Sequence, residues 1–309
     1  MQISDLKVGD NVTIDLLVVS STIRLTKNRN KYLNLTLTDG TDTITANQWS
    51  WESSSKPERN SVVTLKAEVV EWAGAKQLNI STLVHSIKDP TYFAPKGNFD
   101  IMEYISKASD LIDSIMHDEL RELIRQLYND YASLWKTAPA ANNVHHAYTA
   151  GTLQHSVDTA ILARDIANNM PECNTDLCIA GGLIHDIGKL WIYELDGSVI
   201  NYSMHGHMLE HIICGIVVLE RYKDNYNPQM IELLQHIVAS HHGKLEYGSP
   251  ITPKFIEAWI VSYADDINAK ANILQRINAN CNNTITEREW SLNNSAMISQ
   301  SYVEEVMAD

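Results

Sequence analysis

The first 85 residues alternate apolar and polar positions with a period of two. Val12, Ile14, Leu16 and Val18 share one parity, and Leu33, Leu35 and Leu37 alternate with Tyr32, Asn34 and Thr36. After a turn at Asp39-Gly40, Ile44 and Ala46 carry the alternation on to Trp49. Two further runs, Val62–Trp72 and residues 76–84, are joined by Ala73-Gly74. A period of two marks strands with one buried face. Five short strands joined by tight turns predict an OB-fold, a partly open five-stranded barrel.

From about residue 100 the apolar spacing becomes helical. Ile101, Ile105, Ala108, Leu111, Ile112 and Ile115 form one stripe. Leu120, Leu123, Ile124, Leu127 and Tyr128 form a second, after Asp118, which is expected to cap that helix. Five more helices are predicted, over residues 151–170, 175–189, 206–222, 228–242 and 252–278. The last is expected to start with Thr252 as cap and Pro253 at the first helical position. Asp89-Pro90, Pro95 and Gly97 mark a linker. The fold class is therefore α+β multidomain. An OB barrel spans 1–88, a linker with leading helices 89–144, an all-α helical bundle 145–280, and a polar C-terminal extension 281–309. In that extension Trp290 and Leu292 are expected to dock on the bundle.

Charge changes this picture locally. The net charge is −14, yet residues 1–90 hold ten Lys+Arg and ten Asp+Glu, so the whole deficit lies further on. The stretch Arg24, Lys27, Arg29 and Lys31 puts four cations into eight residues, in the expected loop between the first two strands. Trp72 and Lys76 fall at the loop between the last two, and Tyr32, Trp49 and Trp51 lie near the same face. Cations that follow a phosphate backbone, beside rings on which bases stack, suit a single-stranded nucleic acid. The competing reading is a solvated hairpin tip, with Trp49 and Trp72 in the barrel core.

The cysteines (Cys173, Cys178, Cys214, Cys281) have neither zinc spacing nor a disulfide framework. The N-terminal residues lack the apolar core of a signal peptide, and no apolar run is long enough to span a bilayer. The expectation is a cytoplasmic protein with no membrane partner.

The predicted bundle carries the chemistry. His155, His185-Asp186, His211, His241-His242 and Asp265-Asp266 each fall on a successive apolar helix. Taken singly, each is commonly an ordinary core residue bonded to a carbonyl. A buried imidazole or carboxylate needs a partner, and a metal in the core of a helical bundle can satisfy several at once. Imidazole and carboxylate without thiolate suit manganese, iron, cobalt, nickel or zinc in a catalytic site.

The ordered pattern resembles the His-Asp (HD) metal-dependent phosphohydrolase superfamily. More narrowly, it resembles the bacterial YhaM-type 3′→5′ exoribonucleases, which join an N-terminal OB-fold to an HD domain. The resemblance rests on Tyr32-Leu33-Asn34-Leu35-Thr36-Leu37, His146-Ala147-Tyr148 with Leu153-Gln154-His155-Ser156, His185-Asp186-Ile187-Gly188-Lys189, Ser240-His241-His242-Gly243 and Ala264-Asp265. It implies metal ligation by His155, His185, Asp186 and Asp265. His211 and His241 would join a second metal, with His242 as alternative or further ligand. Lys189 would face the phosphate, His146 would touch substrate phosphate, and Asp186 would accept a proton. One or two divalent ions are implied, manganese first and magnesium added to the alternatives. Such a metal lowers the pKa of bound water from about 15.7 to about 7. The implied substrate is single-stranded RNA, with single-stranded DNA a second candidate, and a homo-oligomer is compatible. Ala150 stands where the family usually has a glycine, and Asp266 where asparagine is expected. His205, His207 and His236 have no assigned role, His207 being a stray ligand candidate one turn from His211. Two other readings stay open: an HD enzyme acting on nucleotides or cyclic dinucleotides, and a non-catalytic single-strand-binding protein.

Overall fold

The computed structural model describes residues 1–141, 146–196, 199–279, 281 and 283–308. It divides into two compact units, residues 1–96 with 195–201, and residues 97–194 with 202–309. The boundaries drawn from sequence at residues 144, 145 and 280 lie outside the described residues.

The first unit is a closed barrel of β1 (Asn11–Leu25), β2 (Lys31–Thr38), β3 (Thr43–Trp49), β4 (Val62–Trp72) and β5 (Ala75–His85). The strand order is β1-β2-β3-β5-β4, with β3 parallel to β5, and β1 pairs antiparallel with both β2 and β4. The alternating positions do as expected: Leu16, Leu33, Leu35, Leu37, Leu65 and Leu78 are fully buried inside. Leu17 has the opposite parity and is buried too, against Val62 and Phe93. Phe93 is held there by a 3-10 turn, Pro90–Phe93, which Asp89 caps by accepting from the Thr91 amide. The stretch expected to be plain linker is thus partly built into the barrel.

Both predicted binding loops are shorter than the sequence suggested. Arg24 pairs with Tyr32 and Leu25 with Lys31, so only residues 26–30 turn. The Thr26 amide donates to Asn30 O and the Asn30 amide to Thr26 Oγ1, which closes the hairpin. Arg24 and Lys31 are therefore strand residues. Lys76 likewise lies in β5 and donates from Nζ to Leu6 O at 2.6 Å.

The second unit contains α1 (Ile101–Ser114), α2 (Asp118–Asp130), α3 (Ala132–Trp135), α4 (Gly151–Ala167), α5 (Thr175–Ile184) and α6 (Lys189–Ile192). A two-stranded hairpin follows, β6 (Tyr193–Asp196) with β7 (Val199–Tyr202). Then come α7 (Met204–Glu220), α8 (Pro228–Ser240) and α9 (Ile256–Ala279). The extension beyond them holds a second hairpin, β8 (Ile285–Glu289) with β9 (Ser295–Ile298), and α10 (Gln300–Met307). Trp290 is 72% exposed and does not dock.

Two caps differ from expectation. His117, not Asp118, caps α2, accepting the Leu120 amide on Nδ1, while the Asp118 carboxylate pairs with Arg121. Helix α9 begins at Ile256, not at Thr252. The Lys254 amide donates to His236 Nε2 at 3.0 Å and Pro253 is buried, so residues 252–254 are held outside the helix.

Ala160 and Ala163 of α4, Cys178 and Ala180 of α5, and Ala258 and Ala264 of α9 are all fully buried. Small side chains let these three helices approach closely. Polar residues sharing those faces are thereby forced together. Among the described residues no helix is long and apolar enough to cross a membrane.

Candidate metal centre and barrel groove

His155 sits one turn into α4. Helix α5 stops at Ile184, and residues 185–188 form a tight turn ahead of α6. That turn replaces the single helix expected over residues 175–189. It aims His185 and Asp186 into the core and returns Lys189 to Asp186, with Nζ 2.7 Å from Oδ2. His211 follows a kink in α7 at Glu210, where φ is 58° and ψ 167°. Such angles belong almost wholly to glycine and persist only when the surroundings enforce them. Gly188, with no side chain, leaves room for the His211 carbonyl that follows this kink. His241 and His242 follow the end of α8, and Asp265 lies on α9.

These side chains form two groups. In the first, His155 Nε2 is 3.0 Å from Asp265 Oδ1 and 3.1 Å from His185 Nε2. In the second, His211, His241 and His242 present ring nitrogens within 4.8 Å of one another. Asp186 faces both. Its Oδ2 is 3.4 Å from His155 Nε2 and 3.4 Å from His185 Nε2, while its Oδ1 is 3.7 Å from His211 Nε2 and 3.5 Å from His241 Nε2. His155 and His185 are fully buried, and Asp186 and His241 are each 1% exposed.

The hydrogen bonds decide which nitrogens carry protons. His185 donates from Nδ1 to Gly182 O (2.8 Å), His241 to Val238 O (2.7 Å) and His242 to Tyr247 O (2.8 Å). A carbonyl can only accept, so in the neutral rings each Nε2 is a lone pair. His155 donates in the same way to Asn268 Oδ1 at 2.7 Å. Lone pairs facing one another and two carboxylates call for a shared cation. Asp186 Oδ1, His211 Nε2 and His241 Nε2 are buried without a hydrogen-bond partner among the described residues, although they converge. Ligand atoms at about 2.1 Å from one ion stand about 3.0–3.4 Å apart, close to the spacings around His155 and His185. The residues fit one divalent ion in each group, with Asp186 between them.

Charge supports this fit. Burial would raise the Asp186 pKa, but the Lys189 ammonium and His185 hold it well below the usual carboxylate range. Burial would also raise Asp265, yet the His155 hydrogen bond and His185 keep it lowered. Burial alone would lower His155, but Asp186 and Asp265 outweigh it and push it up to about 9, so without an ion its Nε2 holds a proton in the place a metal would take. His241 is driven well below the imidazole range by burial and by His242 beside it. Both carboxylates are thus held ionised, and burial favours the neutral, ligating form of His241 and His242.

His146 is 2% exposed, with Nε2 on Asn268 Oδ1 (3.0 Å) and Nδ1 on the Tyr148 hydroxyl (2.8 Å). It stands next to His155, ring to ring at 5.2 Å. The Gly151 Cα abuts the His146 carbonyl, and Ala150 just before it takes φ 59°, a left-handed angle that explains why glycine is usual there. His236 accepts the Lys254 amide and packs against Phe255, and His207 lies against Tyr202, their ring centroids 5.4 Å apart. Neither belongs to a metal group. Sequence reading missed Asn268, although it lies three residues after Asp265, on the same helix face.

A cavity of 610 Å³ opens beside the centre, lined by Asp186, Lys189, His241, His242 and Asp265 among others. In the barrel unit, a groove of 560 Å³ is lined by Arg24, Tyr32, Asn34, Asn47, Trp49 and Trp72 among others. Trp49 is 50% and Trp72 71% exposed, which overturns the reading that put them in the barrel core. Tyr32 and Trp49 lie 4.8 Å apart, centroid to centroid. Trp51 instead packs on the barrel core and donates to Ser55 O. Lys27, Arg29 and Lys31 are exposed but do not line the groove. Its floor is an amide chain, from Asn34 Nδ2 to Asn47 Oδ1 (2.8 Å) and from Asn47 Nδ2 to Gln77 Oε1 (3.2 Å).

A family described as HD domain matches residues 152–270, the stretch that supplies every member of both groups. Residues 152–270 are similar to an HD domain. HD domains are metal-dependent phosphohydrolases, which agrees with the ligands of both groups. A second family, described as "Putative helicase", matches residues 98–198. That stretch lacks the Gly-x-x-x-x-Gly-Lys-Ser/Thr phosphate loop, so it provides no nucleotide site of that kind. Two solved structures of a replication protein A domain from Methanococcus maripaludis are each 18% identical to this chain. Each match covers 29% of this chain and 96% of the other, with TM-scores of 0.26 and 0.25.

Proposed function

We propose that the chain is a metal-dependent 3′→5′ exoribonuclease. It degrades single-stranded RNA, and secondarily single-stranded DNA, to nucleoside 5′-monophosphates. One observation carries the reading: the buried Asp186 turns one oxygen to each of two donor groups, beside an open cavity and within the stretch similar to an HD domain. Manganese fits this donor set, with iron, cobalt, nickel, zinc and magnesium as alternatives.

When bound, the metals supply Lewis acidity and an activated water for attack on phosphorus. His155, His185 and Asp265 would hold one ion, and His211, His241 and His242 the other, with Asp186 facing both groups. Asp186 is kept ionised by Lys189 and is the nearest group to take the proton of the attacking water. The Lys189 ammonium lines the cavity, where it offsets charge growing on phosphate oxygens. Asn268 and His146 fix the His155 ring. In the barrel groove, Tyr32, Trp49 and Trp72 offer faces to unpaired bases, and Arg24 a cation to their phosphates.

The test is RNA carrying a 5′ label, incubated with a panel of divalent metals and resolved by length. A ladder shortening from the 3′ end, with release of 5′-mononucleotides and stalling at a stable hairpin, is expected. A bulky 3′ block should stop it and a 5′ block should not. Cuts within a circular strand would refute the exonuclease reading. Turnover of cyclic dinucleotides but not of RNA would replace it with a nucleotide phosphohydrolase.

A further inference from the structure

We propose that Trp259 and Tyr263 form the platform on which the 3′-terminal base of the strand stacks while its phosphate lies at the metal centre. The inference rests on the nuclease reading for the identity of its ligand, a nucleotide at a strand end.

Both residues lie on α9, one turn apart, with ring centroids 5.7 Å apart and planes 24° from parallel. They are 40% and 58% exposed, although the same helix buries Ala258, Ile260, Val261 and Ala264 almost completely. Two large rings left side by side in water are a costly arrangement for a helix with an available core face. Both line the cavity that also contains Asp186, His241, His242 and Asp265. The helix sets their reach from the centre: Tyr263 precedes Asp265 by about 3 Å along the axis and Trp259 by about 9 Å.

The rest of the lining matches the other half of a nucleotide. Lys189, Lys244 and Lys270 lie around the same cavity. All three have carboxylate neighbours: Lys189 on Asp186, Lys270 on Asp266 at 2.6 Å, and Lys244 at 3.5 Å from Glu246. The cavity therefore combines aromatic rings with ionic groups. A base joined to a phosphate has the same combination. A protein partner would not require buried metal ligands beneath it. A cavity of 610 Å³ also falls within the size range of small-ligand sites.

Stacking on aromatic rings is indifferent to base identity, because every base has a face. The platform therefore explains how one site accepts each successive 3′ end as the strand shortens. It acts on binding and placement, so loss should appear mainly in KM.

The experiment compares a strand ending in adenosine with one whose 3′-terminal nucleotide is abasic, using wild type, Trp259→Ala, Tyr263→Ala and Trp259→Phe. Wild type should show KM about tenfold lower for the adenosine end. The alanine variants should lose that preference while keeping their bound metal, and Trp259→Phe should restore most of it. A second arm needs no turnover: calorimetric binding of adenosine 5′-monophosphate against ribose 5-phosphate, with metal present. Wild type should bind the nucleotide about tenfold more tightly, and the gap should close in the alanine variants. Equal preference in wild type and variants, with RNA cleavage intact, overturns the platform. A preserved binding gap without any RNA cleavage supports the platform as a nucleotide site and overturns the nuclease reading instead.

Discussion

A methyl group built on Gly188 would stand 1.9 Å from the carbonyl oxygen of His211. The glycine of the His-Asp turn is thus what lets the kinked backbone of α7 bring His211 to Asp186. The clash is with backbone, so no side chain can move aside to relieve it. Gly188→Ala is expected to cost about 1–3 kcal/mol of stability and to displace His211 from its group. Thermal unfolding and elemental analysis check this. Unchanged metal content with full activity would show that the close contact does not matter.

Asp186→Asn keeps the volume and removes the charge shared by both groups. Metal bound at each group is expected to fall, and hydrolysis to drop at least a hundredfold, about the upper end of what losing a mere supporting partner costs. His211→Ala removes one ligand from the second group alone, so metal held by His155, His185 and Asp265 should survive. Equal metal loss in both variants would argue against two separable ions.

Asn268 Oδ1 accepts from both His155 and His146. Asn268→Leu frees the His155 ring to change tautomer and turn. Metal affinity is expected to weaken by about 10–100-fold, while Asn268→Asp, which keeps an acceptor, should rescue it. Metal titration measures the effect, and circular dichroism verifies the fold. An unaffected leucine variant would reduce Asn268 to packing.

In the barrel, Arg24 lines the groove, whereas Lys27, Arg29 and Lys31 are exposed outside it. Each phosphate contact contributes about −0.7 to the slope of log affinity against log salt on single strands. Arg24→Ala should flatten that slope by about one contact, more than neutralising Lys27 and Arg29 at the hairpin tip. Trp72→Ala and Trp49→Ala should weaken binding by about 1–3 kcal/mol each. An equal effect from all four cations would return the binding surface to the hairpin as a whole.

How much was legible in the chain follows from the range of the forces involved. Strands β1 to β5 were readable to within a residue or two, because alternation such as Leu33, Leu35 and Leu37 reflects a local geometry that every residue carries with it. The helices were readable for the same reason, and the ordered recurrence of His155, His185-Asp186, His211, His241 and Asp265 already pointed to a metal centre. Pairing register is not local. Arg24 and Lys31 became strand residues because Tyr32 and Leu25 happened to lie opposite them. The start of α9 was set by His236, 18 residues before the amide it accepts. Only the packed fold could assign one Asp186 oxygen to each donor group. Only it could put His146 next to His155, hold Trp49 and Trp72 in water, and lay Trp259 and Tyr263 along the cavity. Periodicity states which face of an element is buried. What that face meets depends on close packing between residues far apart in sequence, and no single segment contains that information.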